Sequence, residues 1–174
     1  MIRRLGAPGD LGWVVQAHGE IYAAEYGWDG SFEALVARIV ADYAAEHDDT
    51  REAAWIAEVD GRRVGCVFCI DAHEDNTAVL RILLVDPVAR GHGLGGRLVD
   101  TCVAFAREAG YEHVRLWTND PLTAARHLYL QRGFTLRAEQ KHRSFGADLV
   151  GQTYQLDLEQ AQGAHPRPAD AKPG

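Results

Sequence analysis

A glycine-rich segment directly after an apolar run constrains the fold of this chain more than any other feature. Residues 79–85 are almost entirely apolar and predict a buried strand, and residues 91–96 contain four glycines. Apolar residues then recur at the spacing of a helix: Leu94, Leu98, Cys102, Phe105 and Ala109. The chain is therefore expected to run from a strand through a tight turn into a helix.

Such a turn favours binding of a phosphate group. Glycine has no Cβ to hold a ligand away, and the first N–H groups of a helix have no partner inside the helix. A Walker loop would end in Gly-Lys-Ser/Thr, whereas residues 95–97 are Gly-Gly-Arg. Three glycines have the G-x-G-x-x-G spacing of a dinucleotide-binding turn: Gly91, Gly93 and Gly96. That motif fits poorly, because residues 86–90 separate the strand from the first glycine and the next strand ends in Thr118-Asn119 rather than an acidic residue.

A third motif fits more closely. Residues 85–95, VDPVARGHGLG, resemble the acyl-CoA loop of the GNAT superfamily of N-acetyltransferases, whose signature is Q/R-x-x-G-x-G/A. Residues 124–134, AARHLYLQRGF, resemble the A-x-x-L-Y-x-x-x-G-F helix and turn of the same family. The two motifs are in the family's order, and the resemblance covers about residues 2–158. Segments 18–22, 26–28 and 144–146 are similar to a branch often fused to MarR-type regulators, although no regulator part is recognised in this sequence.

The resemblance implies an α/β GNAT fold, with a mixed central sheet of about seven strands and about four helices on both faces. Residues 1–158 are expected to form the domain, and residues 159–174, which hold three prolines and no apolar pattern, a disordered tail. The expected elements are strand 2–5, a helix capped by Asp10, a helix capped by Ser31, strands 54–59 and 64–70 joined at Asp60-Gly61, strand 79–85, the helix from Leu94, strand 113–118, helix 122–132, and strands 135–139 and 152–158.

The composition indicates which kinds of partner and which cellular location to expect. The net charge of −7 argues against a nucleic-acid-binding face and mildly favours a cationic substrate. No apolar stretch approaches the ~18 residues of a membrane span, and residues 1–4 lack a signal-peptide apolar core, so a cytoplasmic protein without membrane contact is expected. Cys66 and Cys69 form a C-x-x-C within a predicted strand, where they would face opposite sides as buried thiols. With Cys102 the only further cysteine and no metal spacing among the histidines, no metal is expected.

The resemblance also implies where acetyl-CoA, the expected co-substrate, would bind. In the family the strand before the loop separates from its neighbour, and the pantetheine arm lies in the gap. The residues implied in contacts with the cofactor are Leu83, Leu84, Val85, Arg90, Gly91, His92, Gly93, Leu94, Gly95, Gly96, Asn119 and Tyr129. Two of these have open alternatives: Arg90 as a solvated surface charge, and Asn119 as a residue that only ends its strand.

Acyl transfer to an amine needs a proton acceptor for the amine and a proton donor for the departing thiolate. Tyr129 occupies the position of the family's acid, the alternative being a core tyrosine. The family's glutamate on the loop-proximal strand is replaced here by Val79, and Arg81 is the strand's one ionisable residue. Glu25 and Glu20 are therefore the candidate bases, with exposed helix charges or a relay through water as the alternatives.

The implied function is transfer of an acetyl group from acetyl-CoA to a primary amine by direct attack in a ternary complex. The acceptor would be a small molecule or a peptide, and the resemblance is compatible with a homodimer. The alternative is a catalytically weak acyl-CoA-binding or sensing module, because the strand carboxylate is missing. Residues 141–146, between the last two predicted strands, are expected to border the acceptor pocket.

Overall fold

The computed structural model describes residues 1–159. Seven strands form one sheet in the order β1-β2-β3-β4-β5-β7-β6, in which β4 and β5 run parallel and the other neighbours antiparallel. The strands are β1 Ile2–Arg4, β2 Ala53–Val59, β3 Arg62–Asp71, β4 Thr77–Val85, β5 His113–Asn119, β6 Thr135–Ser144 and β7 Ala147–Asp157. The helices are α1 Asp10–Tyr26, α2 Gly30–Glu46, α3 Leu94–Glu108 and α4 Thr123–Gln131, with a short 3₁₀ turn at Pro87–Ala89. The mixed sheet and its four helices confirm the expected fold class. The predicted tail lies, apart from Glu159, outside the described residues.

Two apolar cores flank the sheet, because successive strand residues face opposite sides. On β3, Cys66 and Phe68 pack with α1 and α2, whereas Val67 and Cys69 pack with α3. The two cysteines of the C-x-x-C therefore face opposite sides, as predicted, and all three cysteines are buried free thiols. Among residues 1–159 no group of three His, Cys, Asp or Glu side chains is placed to bind a metal ion. In the same range no helix has the length and apolarity needed to cross a membrane.

The β2–β3 hairpin turns at Asp60-Gly61 as predicted, with positive φ at both residues. The β6–β7 hairpin was predicted incorrectly. Towards the turn, each strand is five residues longer than predicted, and the hairpin turns at Phe145-Gly146, both again at positive φ. Residues 141–144 thus belong to β6 rather than to a connecting loop. Almost all of β6 is exposed, so it lacks the apolar alternation that makes a strand visible in a sequence.

Both predicted helix caps were wrong. Gly9 caps α1, and Asp10 is its first residue, buried and bonded to Arg3 and Arg63. At α2 the cap is Asp29, whose carboxylate accepts a hydrogen bond from the Ser31 amide at 3.0 Å. Asp29 thus bonds an amide of the helix that it caps, whereas Asp10 bonds the amides of Gly6 and Ala7 in the loop before its helix.

The C-terminal half of β4 contains a β-bulge and separates from β5. Leu84 pairs with Cys66 and Arg81 with Phe68, so two residues of β4 oppose the single Val67. This is a β-bulge, and Ile82 within it has a φ of 44°. On its other side β4 pairs with β5 only through residues 77–79. Beyond Val79 the two parallel strands separate, which confirms the predicted gap.

Candidate active site

Two cavities meet at the gap between β4 and β5. Cavity A, of about 190 Å³, lies between α1, α2, the separated strands and α4, and the tip of the β6–β7 hairpin closes it through Phe145. Cavity B, of about 370 Å³, lies beside the glycine-rich turn and the start of α3. The two cavities share four lining residues: Tyr22, Leu83, Leu122 and Ala125. A molecule in each cavity would therefore meet the other at the gap.

Cavity B collects most of the residues predicted to contact acyl-CoA. All of them line it except His92, Asn119 and Tyr129. His92 is exposed on the turn, whereas Asn119 and Tyr129 line cavity A. Helix α3 has no side-chain cap at Gly93, so its first N–H groups are open to the cavity side.

The four glycines of the turn form two pairs with different surroundings. Gly91 and Gly93 have φ of 86° and 74°, and a Cβ added to either would meet no atom within 4 Å. Gly95 and Gly96 pack instead against α4, since a Cβ would lie 2.8 Å from Leu128 at the first and would clash with the Arg132 guanidinium at the second. The first pair leaves open space for a ligand, and the second pair lets α3 and α4 pack closely.

Arg90 connects the turn to α1 and to β4. Its Nη2 lies 2.6 Å from Glu25 Oε1, and its Nε donates to the Val85 carbonyl at 3.1 Å. The guanidinium is about half exposed and lines cavity B together with Glu25. The Arg90 cation beside the free N–H groups of the helix start favours binding of a phosphate. Without a phosphate, the Glu25 carboxylate is its ionic partner.

Tyr129 lies on α4 beneath the gap. It is 4% exposed, packs against Phe134 and Tyr154, and lines cavity A. Burial raises the pKa of its hydroxyl above the usual value near 10. The group is therefore protonated at neutral pH, as a proton donor must be.

The structure does not bring the two predicted bases into cavity A. The Glu25 carboxylate lies on Arg90 in cavity B, and the exposed Glu20 accepts a hydrogen bond from Gln16 at 3.0 Å and lines neither cavity. Their role as bases stays a prediction. Asn119, buried at the end of β5, bonds His142 through its Oδ1 at 2.7 Å.

The sequence analysis assigned no specific role to several residues of cavity A, although Phe145 belongs to the segment 141–146 that was expected to border the acceptor pocket. The imidazole of His18 is buried, and its Nε2 is the one buried side-chain polar atom of residues 1–159 without a hydrogen-bond partner. Arg81 is the formally charged side chain in this lining. The aromatic part comes from Trp28, Phe32, Trp117 and Phe145. These residues come from four distant parts of the chain, so no local pattern points to them together.

Comparison with known proteins shows to which family the chain belongs. The sequence model of the acetyltransferase (GNAT) family matches residues 15–134. This chain belongs to the GNAT acetyltransferase family. A solved ribosomal-protein-alanine N-acetyltransferase from Brucella melitensis has the same fold, with a TM-score of 0.73 at 18% identity over 91% of this chain and 99% of that one. A putative acetyltransferase from Salmonella typhimurium, solved with acetyl-CoA, also has this fold. Its TM-score is 0.72 at 18% identity, over 96% of this chain and 98% of that chain.

Curated relatives of this GNAT domain match over shorter stretches. N-acetylaspartate synthetase from Danio rerio is 35% identical over 85 residues, which are 49% of this chain and 30% of that protein. N-acetyltransferase 8B from Homo sapiens is 34% identical over 84 residues, 46% of this chain and 37% of that protein. The matches thus span about a third of the relatives' own lengths. The family's description and the name of the human relative both denote acetyl transfer.

Proposed function

We propose that this protein is an acetyl-CoA-dependent N-acetyltransferase that moves the acetyl group to a primary amine by direct attack in a ternary complex. The observation that carries the proposal is the meeting of cavities A and B at the β4–β5 gap. One cavity would hold the acyl donor and the other the amine, with the reacting atoms at the four shared residues. A covalent acyl-enzyme is unnecessary when both substrates reach one point.

The chain's residues fit acetyl-CoA in cavity B. The open N–H groups at the start of α3 and the Arg90 guanidinium would bind the pyrophosphate. The unpaired edge of β4 at residues 83–85 would bond the pantetheine arm in the manner of an added strand. The bound thioester supplies an activated acyl group. The solved relative with acetyl-CoA supports this assignment at the level of the fold.

Tyr129 would protonate the departing thiolate, since its hydroxyl is protonated at neutral pH and lies beside the shared residues. The proton of the amine requires no carboxylate in cavity A. The largely apolar lining of cavity A disfavours an ammonium ion, so the amine would bind in its neutral, nucleophilic form. Water would carry the remaining proton to solvent.

The test is incubation with acetyl-CoA and a panel of small amines, amino acids and short peptides, with detection of free thiol and of the acetylated product by mass. The panel covers both acceptor types that the names of similar proteins suggest, an amino acid for N-acetylaspartate synthetase and an alanine of a polypeptide for the ribosomal-protein-alanine enzyme. We expect thiol release that depends on the amine and yields an amide. Release that is the same with and without every amine would contradict the proposal.

The second candidate is an acyl-CoA-binding or sensing module. One observation favours it: within residues 1–159 no Asp or Glu lines cavity A. Micromolar binding of acetyl-CoA with no amine-dependent turnover would select it over the enzyme.

A further inference from the structure

The lining of cavity A is specific enough to indicate the class of acceptor. Four aromatic rings contact one another along it, with Tyr22 and Phe32 centroids 4.6 Å apart and Trp28 lying 4.9 Å from both Phe32 and Phe145. Side chains of α2 extend the apolar surface: Leu35, Val36 and Ile39. A planar apolar group buried here would stack on or meet the edges of these rings.

The charge of cavity A selects against cations. An aromatic lining also suits an ammonium ion, but such cages gain from the absence of competing positive charge. Arg81 lies in the lining at its solvent-exposed side, and among residues 1–159 its guanidinium makes neither a hydrogen bond nor an ion pair. The carboxylate that acts on it electrostatically, Asp42, is not within ion-pair distance. A free guanidinium at the edge of an apolar cavity is suited to a carboxylate, which it can bind through two parallel hydrogen bonds.

His18 supplies a second polar contact. Its Nδ1 lies 2.7 Å from the Val14 carbonyl, and because a carbonyl only accepts, Nδ1 carries the proton. Nε2 is therefore a lone-pair acceptor, and it has no partner although the residue is 1% exposed. A buried acceptor without a donor is unfavourable, so a ligand N–H or O–H in cavity A would bind there.

The position of His18 along α1 shows which part of the ligand it meets. Tyr22 lines both cavities and interacts electrostatically with Tyr129, so the reacting amine would lie near Tyr22. His18 is one helical turn before Tyr22, about 6 Å further along the helix. It therefore faces the body of the acceptor rather than the amine.

We propose that the acceptor is a small primary amine that carries a carboxylate and an aromatic ring with a hydrogen-bond donor, held with the carboxylate at Arg81 and the ring donor at His18 Nε2. This rests on the proposed function. An amino acid with an indole or phenol side chain has all three features in one molecule.

The experiment compares four probe amines at fixed acetyl-CoA: L-tryptophan, L-phenylalanine without a ring donor, L-tryptophanamide without the carboxylate, and spermidine as the polycation. We expect kcat/KM for L-tryptophan to exceed that for L-phenylalanine by about tenfold and that for L-tryptophanamide by roughly 10- to 100-fold, the scale of one neutral and one charged hydrogen-bonded contact. A preference for spermidine or for L-tryptophanamide would overturn the proposal.

Two variants assign the contacts. Arg81→Gln should lower kcat/KM for L-tryptophan by roughly 10- to 100-fold and leave L-tryptophanamide nearly unchanged. Arg137→Gln is the matched control, since Arg137 lies on exposed β6 and lines neither cavity. His18→Phe keeps a ring in place and should remove the preference for L-tryptophan over L-phenylalanine while retaining activity on the latter. Equal losses on both members of either substrate pair would refute the corresponding contact.

Direct binding separates this inference from the proposed function. Calorimetry of L-tryptophan with the CoA-bound protein needs no turnover. Binding that Arg81→Gln weakens and Arg137→Gln does not, in the absence of any acetyl transfer, would support the acceptor class and contradict the enzyme. Transfer to other amines without any binding of L-tryptophan would support the enzyme and contradict the acceptor class.

Discussion

Gly93 joins the helix start to the open side of cavity B. Replacing it with alanine adds one methyl group where a phosphate would approach, and the left-handed backbone costs about 1 kcal/mol. Gly110→Ala carries the same backbone penalty, since its φ is 86° with equally open space, but it follows α3 and lines neither cavity. We expect a CoA affinity at least about tenfold lower in the first variant only, measured by calorimetry. Equal affinities in both would dissociate the turn from CoA binding.

Tyr129 is tested by removing only its hydroxyl. Tyr129→Phe should retain CoA affinity and stability, because among residues 1–159 the hydroxyl makes no hydrogen bond that the variant would lose. Its kcat should fall roughly 10- to 1,000-fold, the scale of one acid catalyst. Tyr154→Phe, in the same core but outside both cavities, is the control. An unchanged kcat in Tyr129→Phe would make Tyr129 a structural residue and water the proton donor.

Glu25 has two possible roles, partner of Arg90 or general base, and one variant distinguishes them. As the partner of Arg90 it repels an incoming pyrophosphate, so Glu25→Gln should tighten CoA binding by a few-fold, roughly the scale of a part-exposed ion pair, with an unchanged pH–rate profile. As the base, its loss would lower the rate at neutral pH with partial recovery at high pH. Glu46→Gln, at the exposed end of α2 and outside both cavities, is the reference for each measurement.

At the scale of elements, the start of α1 is fixed by one buried carboxylate. Asp10 accepts hydrogen bonds from Arg3 and Arg63 at 2.8 Å and from the amides of Gly6 and Ala7 at 2.9 Å. Together these contacts hold the pKa of the carboxyl well below its usual range, with the Arg3 hydrogen bond as the largest cause. They tie β1, the following loop, α1 and β3 to a single side chain.

Asp10→Asn should therefore lower the free energy of unfolding by about 3–5 kcal/mol, the cost of breaking a buried ion pair. Urea unfolding at neutral pH measures it, with the exposed Asp148→Asn as a control that should change little. Because the folded pKa is depressed, the contribution of Asp10 is present above the unfolded pKa near 3.9 and is lost only below it. A change under about 1 kcal/mol would show that the neighbours rearrange around the amide.

The elements that the sequence predicted are those with an apolar period or a turn signal. Strand β4, helix α3 and the Asp60-Gly61 hairpin all carry such local signals. The second half of β6, residues 140–144, carries none, because its side chains are largely exposed. The site divides in the same way. Cavity B is built mainly from contiguous motif residues, whereas cavity A joins α1, α2, β5 and the β6–β7 turn, which only the folded chain brings together.

At the scale of the whole molecule, the net charge is a poor guide to the local field. The value of −7 suggested a cationic substrate, yet Arg81 is the formally charged side chain lining cavity A. The acidic residues lie elsewhere, many in surface ion pairs such as Asp100 with Arg132.

The stability of the whole molecule should depend on pH through His18. Burial lowers the pKa of His18 to about 4, against about 6.5 in the unfolded chain. Between these values the unfolded chain takes up a proton that the folded one does not, so this contribution is full above pH 6.5 and is lost as the pH falls towards 4. The difference in unfolding free energy between the wild type and His18→Phe should thus shift by about 3 kcal/mol between pH 7 and 4. A difference that is constant with pH would place the His18 pKa near its ordinary value.

The separation of β4 from β5 divides the sheet into two halves. One half contains β1 to β4 and the other contains β5, β7 and β6, and three residue pairs at one end join them. Within residues 1–159 the two halves have no paired strand residues beyond Val79. A ligand arm lying in the gap would act as a missing eighth strand and close the ladder across the molecule. Folding and ligand binding are then coupled, since whatever fills the gap also joins the halves of the protein.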